Sequence, residues 1–356
     1  MLEENLPKFV ILDYENYKKL MSKKLVSKKE HLKILVTGGA GYIGSHTARL
    51  LVGAGHSVVT LDNLSTGFEE FAQGKFVKGD LSDTELLDSL FAEEKFEAVM
   101  HFAASMSVPE SVENPEKYYT NNVVNSLNLL NAMKMHKVDK IIFSSTCAVY
   151  SDRAQAPMNE QTAIEPASPY GESKAIFEKI LGDYANAFGI KSVSLRYFNA
   201  AGASFDSVLG LANPESTSLI PNALNVALAK KDYLEVYGKD YTTADGTGVR
   251  DYIHVLDVAN AHILALDYLN EIRGPIAEVF NIGTGKGYTV LEVINQACDS
   301  TDKMIKFEVR DRRPGDPAEV YADTSKAEKV LGFRAQHSDL KTILDTHWAF
   351  HKKRFG

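Results

Sequence analysis

The chain has 356 residues, more than one ordinary domain, which predicts two lobes or one large α/β domain with an appendage. Its net charge of −8, with 44% hydrophobic and 24% charged residues, argues against a disordered chain and against a nucleic-acid surface. With two cysteines, no apolar run of about 18 residues and no signal-like N-terminus, we expect a cytoplasmic protein without disulfides, metal site or membrane segment.

Residues 1–30 precede the first fold signal. They contain a short helical pattern, Tyr14 to Leu20, and a lysine-rich run that is typical of a solvated surface. We interpret them as an N-terminal extension and assign them no function.

The first strong pattern is an apolar run that breaks into glycines and then resumes with helical spacing. Gly38 allows the turn, Gly41 lets the backbone approach a pyrophosphate, and Gly44 lets the helix pack on the strand. The next apolar run ends in Asp62, which suits the adenosine ribose of NAD and would repel a 2′-phosphate. A turn that merely joins strand to helix is the alternative, but the acidic residue about 20 positions on favours dinucleotide binding.

Apolar runs alternate with helical patterns up to about residue 200, which predicts a parallel sheet covered on both faces. The predicted strands are Ile34–Val36, Val58–Leu61, Lys75–Lys78, Ala98–Phe102, Lys140–Ser144 and Ser192–Tyr197. A helix is predicted from Tyr118 to Met135, although Asn121 and its neighbours are modest helix formers.

After Ala201 the pattern becomes irregular. Residues 206–218 and 241–248 are predicted loops because they are rich in polar and small residues without periodicity. The predicted elements that remain are a helix over Pro221–Lys230, a strand over Leu234–Tyr237, a strand over Val279–Gly283 and a helix over Val290–Cys298.

Tyr170 and Lys174 form the second informative pattern. Residues four apart on a helix share a face, so both side chains can enter one site. A nearby ammonium and a positive nicotinamide ring both favour the phenolate, which would make Tyr170 a general base. A surface pair is the alternative, and the position late in the sheet favours the functional interpretation.

A run of hydroxyl residues ends the Lys140–Ser144 strand at its carboxyl side, where ligands of open α/β sheets collect. Thr146 is the best candidate to bond a substrate oxygen; capping of the strand end is the alternative. The adjacent Cys147 is interpreted as a small buried residue rather than a nucleophile, because no base is evident.

Several motifs together resemble the extended short-chain dehydrogenase/reductase family over about residues 33 to 350. They are Thr37–Gly44, Asp62-Asn63, Ser144-Ser145-Thr146, Tyr170-x-x-x-Lys174, Arg196-Tyr197-Phe198-Asn199 and the run Gly246 to His254. Within that family they are most similar to the members that invert C4 of UDP-glucose and UDP-galactose. The resemblance implies tightly held NAD, no net redox change and a 4-keto intermediate. It also implies an α/β fold with a doubly wound parallel Rossmann sheet (31–200 plus 252–287) and a smaller α/β substrate-binding lobe (201–251 plus 288–356).

The resemblance also implies roles for individual residues. Tyr170 takes the proton from the sugar 4-hydroxyl, Lys174 holds the nicotinamide ribose and lowers the pKa of Tyr170, and Thr146 bonds the O4 region. Implied cofactor contacts are Gly38, Gly41, Tyr42, Ile43, Gly44, Asp62, Asn63, Asp80, Leu81, Phe102, Ala103, Asn121, Tyr170 and Lys174. Implied substrate contacts are Thr146, Tyr170, Asn199, Leu219, Tyr237, Arg250, Arg313, Asp316 and Val320. The two arginines would bind the diphosphate, with surface salt bridges as the alternative. A homodimer formed through a helical pair is typical of the family.

Three alternatives remain. Val320 stands where members restricted to UDP-glucose and UDP-galactose carry a tyrosine, so UDP-GlcNAc and UDP-GalNAc are candidate substrates, and UDP-pentoses need the same chemistry. A 4,6-dehydratase would need an Asp-Glu pair where Ser145-Thr146 stand. A binding-only NAD sensor or scaffold would have no use for Tyr170 beside Lys174.

Overall fold

The structure, a computed structural model, describes residues 31–214, 216–313 and 315–356. The predicted N-terminal extension lies outside the described residues. The strands are β1 (Lys33–Thr37), β2 (Ser57–Asp62), β3 (Lys75–Lys78), β4 (Ala98–His101), β5 (Lys140–Ser144), β6 (Lys191–Tyr197), β7 (Asn199–Ala201), β8 (Leu234–Tyr237), β9 (Val249–Arg250), β10 (Tyr252–His254), β11 (Ile276–Ile282), β12 (Tyr288–Thr289), β13 (Phe307–Arg310) and β14 (Glu319–Val320).

The α-helices of the described residues alternate with the strands through the first half of the chain. They are α1 (Tyr42–Gly53), α2 (Thr84–Glu94), α3 (Val108–Glu113), α4 (Pro115–Tyr119), α5 (Asn125–Met135), α6 (Pro169–Phe188), α7 (Leu219–Ala227), α8 (Val255–Glu271), α9 (Val290–Thr301), α10 (Ser325–Leu331) and α11 (Leu340–Phe355). No helix among these described elements is long and apolar enough to cross a lipid bilayer.

Seven parallel strands form the central sheet in the order β11-β6-β5-β4-β1-β2-β3. Alternate residues of each strand enter two separate cores: Ile34 and Val36 pack with α1 and α8, whereas Leu35 packs with α2, α5 and α6 on the opposite face. Helices cover both faces of the sheet, so its central strands are buried and read as apolar runs, whereas the edge strand β3 is only partly buried. The doubly wound α/β fold predicted from the sequence is confirmed. Strand order reverses between β1 and β4, so the ligand crevice belongs above their carboxyl ends.

A third hydrophobic cluster lies beyond the sheet and joins α7, α9 and the first turns of α11 to strands β8 and β10. Three small sheets surround it: β8 with β13, β7 with β10, and the trio β12-β9-β14. This cluster is the core of a smaller α/β unit, whereas α8 and β11, which lie between its segments in the chain, belong to the central sheet and its core. The proposed division of the sequence between two lobes stays a prediction.

The predicted helix from Tyr118 to Met135 is present within an unbroken helical run, and it contains one irregular turn. Helix α4 ends at Tyr119, a π-helical turn occupies Thr120–Val124, and α5 follows. The extra residue of the π-turn directs the Asn122 side chain inward, where it is 2% exposed.

The predicted helix from Pro221 begins two residues earlier, since proline fits the first turn of α7, and it ends before Ala229, whose φ is +56°.

Candidate active site

The glycine turn brings three backbone segments together without room for side chains. Gly38 has φ of +70°, and a Cβ on it would lie 2.5 Å from the backbone nitrogen of Ala103. A Cβ on Gly44 would lie 2.3 Å from the Gly38 carbonyl oxygen. Helix α1 begins after Gly41 with no side-chain cap and no acidic residue in its first turn. Its N-terminal amides and dipole are therefore suited to an anion such as a pyrophosphate, and this cradle fits a dinucleotide.

Asp62, at the end of β2, stabilises this turn through hydrogen bonds. Its carboxylate accepts hydrogen bonds from the backbone nitrogens of Ala40 (3.0 Å) and Leu64 (2.8 Å), and burial raises its pKa. Asn63 donates to the Asp80 carboxylate at 2.6 Å. The structure therefore places the residues assigned to the adenosine end of the cofactor side by side at the switch point.

The loop after β4 forms the opposite wall of the crevice. The backbone nitrogens of Phe102 and Ala103 both donate to the Thr37 carbonyl oxygen, at 2.9 and 3.1 Å. Asn121 donates to the Ser105 hydroxyl at 3.3 Å, which brings it to the same loop.

Asn122 was missed by the sequence reasoning. Its amide accepts from the Ser105 backbone nitrogen at 2.8 Å and donates to the Ser105 carbonyl and the Ser173 hydroxyl, both at 3.0 Å. It therefore ties the loop after β4 to helix α6. The asparagines in a predicted helix were the available signal, but they did not indicate which one turns inward.

Tyr42, Ile43 and Leu81 have side chains that are already engaged elsewhere. The Tyr42 hydroxyl donates to the Gly202 carbonyl oxygen at 2.6 Å, and Ile43 is buried in the core. The Leu81 side chain is also buried, and its carbonyl oxygen accepts from the Asn128 amide at 3.1 Å. Any contact of Tyr42 or Ile43 with a dinucleotide therefore involves the backbone at the start of α1.

Helix α6 presents Tyr170 and Lys174 to the carboxyl end of β5. The Tyr170 hydroxyl lies within hydrogen-bonding reach of the Thr146 side chain. The Lys174 ammonium donates to the Ser144 carbonyl oxygen at 3.0 Å and lies 4.8 Å from the centre of the Phe143 ring. The three residues assigned to catalysis are therefore brought together at one strand end.

Burial controls the electrostatics of this pair. It lowers the pKa of Lys174 to about 7, against a weaker opposing effect of the Glu178 charge. Burial also raises the pKa of Tyr170, and the neighbouring Tyr197 raises it further. The expected lowering of the Tyr170 pKa is therefore not produced by the described side chains alone, because the desolvation of the phenolate exceeds the lowering effect of the Thr146 hydrogen bond.

The cations assigned to a diphosphate lie on the second unit. Arg250 pairs through Nη2 with the Asp316 carboxylate and donates through Nη1 to the Val249 carbonyl oxygen at 2.8 Å. The Arg313 guanidinium stacks on the Tyr237 ring, 3.9 Å from its centre, and forms no ion pair within the part of the chain that the structure describes. Two guanidinium groups with free donor capacity are suited to an anion.

The remaining substrate-side residues occupy two places. Asn199 donates to the Asp251 carbonyl oxygen at 3.1 Å, beside Arg250, whereas Leu219 begins α7 and packs on the third cluster. Asp251 itself was missed by the sequence reasoning. Its buried carboxylate accepts from the Thr284 hydroxyl at 2.6 Å and from the backbone nitrogen of Ala322 at 3.2 Å. These bonds fix the backbone next to Arg250 between the end of β11 and the end of β14. The available signal for Asp251 was its position in the motif Gly246 to His254, which resembles the family.

Val320 faces the catalytic strand end. It packs in a cluster with Cys147 and Phe198, and it stands opposite Arg250 in the parallel pair β14–β9. Its neighbour Tyr321 points the other way, with its ring 3.4 Å from where a Cβ on Gly287 would lie. Burial raises the pKa of the Cys147 thiol to about 12, which agrees with a packing role rather than a nucleophilic one.

Comparisons with known proteins agree with this geometry. Residues 34–283 match the NAD dependent epimerase/dehydratase family. The chain is 44% identical over 323 residues to a UDP-glucose 4-epimerase of Lactobacillus helveticus, covering 90% of this chain and 97% of that protein. It is similar to the structure of UDP-glucose 4-epimerase from Brucella ovis in complex with NAD, at 46% identity and a TM-score of 0.87, covering 90% of this chain and 98% of the other. It is also similar to the UDP-Glc/GlcNAc 4-epimerase from Campylobacter jejuni, at 42% identity and a TM-score of 0.79, covering 90% and 99%.

Proposed function

This chain belongs to the NAD dependent epimerase/dehydratase family, and on that premise we propose that it interconverts UDP-glucose and UDP-galactose by inverting C4 through a 4-keto sugar. Its cofactor is NAD. The observation that carries the proposal is the meeting of Tyr170, Lys174 and Thr146 at the carboxyl end of β5, in the crevice that the glycine turn opens.

Each residue of the proposed site has a separate role in the reaction. Tyr170 accepts the proton of the sugar 4-hydroxyl and later returns it, while Thr146 holds the same oxygen in line. Lys174, fixed to the Ser144 carbonyl oxygen, orients the cofactor ribose beside them. When bound, NAD supplies a reversible hydride acceptor for C4. Arg250 and Arg313 hold the diphosphate, so the sugar can turn within the site and present its other face without leaving.

The proposal is tested by assaying the purified protein without added NAD. UDP-galactose is supplied, and the formation of UDP-glucose is followed by chromatography, with UDP-GalNAc and a UDP-pentose as parallel substrates. We expect conversion of UDP-galactose to an equilibrium mixture by enzyme that retains its cofactor. Retained NAD with no turnover of any UDP-sugar would contradict the proposal and favour a binding-only protein.

Val320 sets a prediction about substrate range. Because a valine leaves more room beside Cys147 and Phe198 than a tyrosine would, we propose that the N-acetyl sugars also enter. Replacing Val320 with tyrosine should lower kcat/KM for UDP-GalNAc by about 10-fold to 100-fold, since a steric misfit costs about 1–3 kcal/mol. The same change should alter kcat/KM for UDP-galactose by less than about 3-fold.

The control for this prediction is Tyr321→Val, which changes the neighbouring side chain on the opposite side of the strand. It should leave the ratio of the two kcat/KM values unchanged. Equal losses for both sugars in Val320→Tyr, or no turnover of UDP-GalNAc by the unmodified protein, would reject the assignment of substrate range to this position.

We propose that the protein forms a homodimer through the outer ends of α5 and α6. Exposed apolar side chains lie there: Met135 is 65% and Phe188 51% exposed, at the C-terminal ends of the two helices. We expect Met135→Glu to shift the mass measured by light scattering from dimer to monomer. The matched control is Met304→Glu, because Met304 is 83% exposed on the other unit and should leave the dimer intact. A monomeric unmodified protein would contradict the proposal.

We place the enzyme in the cytosol. Both cysteines, Cys147 and Cys298, are free thiols, which suits a reducing compartment. Cys147 is half-buried, and the raised pKa of its thiol makes it resistant to oxidation there.

A further inference from the structure

Three consecutive residues at the end of β5 each face a different turn of helix α6, and two of them are hydrogen-bonded to it. The Lys174 ammonium donates to a carbonyl oxygen at 3.0 Å, a serine hydroxyl donates to Glu178 Oε1 at 2.5 Å, and Tyr170 lies within reach of a threonine hydroxyl. The pairs are Ser144 with Lys174, Ser145 with Glu178, and Thr146 with Tyr170. Glu178 follows Lys174 by one helical turn and Tyr170 by two, so all three project from one face of the helix.

The Glu178 carboxylate is fixed by a bidentate ion pair with Arg196 on β6. Arg196 Nε donates to Oε1 at 3.0 Å and Nη2 to Oε2 at 2.5 Å. The two side chains are only 6% and 8% exposed, so solvent neither screens nor replaces these bonds. Ser145 is completely buried beside them. The carboxylate therefore has one geometry with respect to the sheet.

Arg196 is itself held through the neighbouring strand β11, on which Asn281 is its register partner. Its Nη1 donates to the Tyr150 hydroxyl at 3.1 Å, and that hydroxyl donates to the Asn281 side-chain oxygen on β11 at 2.6 Å. The Asn281 amide nitrogen donates to the Met158 carbonyl oxygen at 2.8 Å. The network thus joins α6 to β5, β6 and β11, and every polar group named in it has a partner.

We propose that Glu178 and Ser145 are positioning residues for the reaction at Tyr170. Glu178 lies eight residues from Tyr170, about 12 Å along the helix, so it acts without touching the sugar. Its bond to Ser145 fixes the rotation and height of α6 against the strand end, which sets where the Tyr170 hydroxyl and the Lys174 ammonium stand. This inference rests on the proposed function, because it concerns the same reacting pair.

A purely structural ion pair would behave differently from a positioning pair. Breaking it would lower stability, with proportional effects on cofactor retention, and would leave kcat of the folded enzyme unchanged. A positioning contact changes the geometry of a reacting group, and a displacement of about 1 Å can lower the rate by about 100-fold. The bond between Ser145 and Glu178 can be removed without touching the ion pair, which separates the two roles.

The test compares Ser145→Ala with the matched control Ser192→Ala, a serine on β6 that is 1% exposed. For Ser145→Ala we expect kcat with UDP-galactose to fall by about 10-fold to 100-fold, with KM within about 2-fold of the unmodified value. Its bound NAD and melting temperature should equal those of the control, and the control should keep the unmodified kcat. An unchanged kcat in Ser145→Ala, or an equal fall in both variants, would overturn the inference.

The variant Glu178→Gln adds a second measurement, because a glutamine oxygen can still accept from Ser145 but carries no charge opposite Arg196. If both residues act through the same contact, the double variant should lose no more kcat than Ser145→Ala alone. Additive losses of kcat would contradict a shared positioning role for Glu178 and Ser145. If Glu178→Gln does not fold, the result for Ser145→Ala alone decides the test. An inactive unmodified protein would refute the proposed function, whereas an active one with fully active Ser145→Ala would refute only this inference.

Discussion

Replacing Tyr170 with phenylalanine should lower kcat for UDP-galactose by about 10²-fold to 10⁴-fold, the range that general acid–base catalysis contributes. The ring remains and continues to fill its place between Thr146 and Tyr118, whose ring centre lies 6.4 Å away. Only the proton-accepting oxygen is lost. KM, bound NAD and melting temperature should therefore stay close to those of the unmodified protein, and all three are measured together with kcat.

The control for that change is the neighbouring phenol. Tyr118 is fully buried, but its hydroxyl donates to the Glu110 carboxylate at 2.8 Å rather than facing the strand end. Tyr118→Phe should keep kcat within about 3-fold, since it removes one hydrogen bond outside the reacting pair. If Tyr170→Phe epimerised at the unmodified rate, the assignment of the base would be wrong.

Mild acid should strongly destabilise the folded protein. Burial lowers the pKa of five fully buried histidines, to about 4 for His46 and His262, to about 3 for His101 and His347, and well below the ordinary value for His254. Between the ordinary value of about 6.5 and these lowered values, the unfolded chain binds protons that the folded chain does not. Stability is therefore lost as the pH falls below about 6.5, by about 1.4 kcal/mol per histidine at pH 5.5, or roughly 7 kcal/mol together. That loss is comparable to the whole stability of a typical protein.

Urea unfolding at about pH 7.5 and about pH 5.5 measures this effect. His347→Gln should reduce the pH dependence by roughly one proton, because one buried histidine no longer titrates in the unfolded chain. Equal unfolding free energies at the two pH values would contradict the prediction.

Local signals were sufficient for the central sheet. Strands β3 and β5 have the predicted bounds, Lys75–Lys78 and Lys140–Ser144. Strand β5 is buried and reads as an apolar run, whereas β3 is a partly exposed edge strand that begins and ends with lysine. The glycine turn could also be predicted from the sequence, because the close backbone approach at Gly38 and Gly44 excludes any side chain. The spacing of Tyr170 and Lys174 predicted a shared face, and the structure places both at the same strand end.

Other parts of the site depend on contacts between distant segments. The partners of Glu178, namely Ser145 and Arg196, lie 33 and 18 residues away, and Tyr150 meets Asn281 across 131 residues. No periodicity in one segment encodes such a pairing. The same holds for the pKa of Tyr170, because the sequence indicates which charges are near but not how much water burial removes.

The central claim is that C4 loses its hydrogen and regains the same one within a single closed site. UDP-galactose labelled with deuterium at C4 is converted by the purified protein in ordinary water, and the UDP-glucose formed is analysed by mass spectrometry. We predict full retention of the label at C4, whether or not unlabelled NAD is added. Loss of the label to water, or its dilution by the added NAD, would contradict the account.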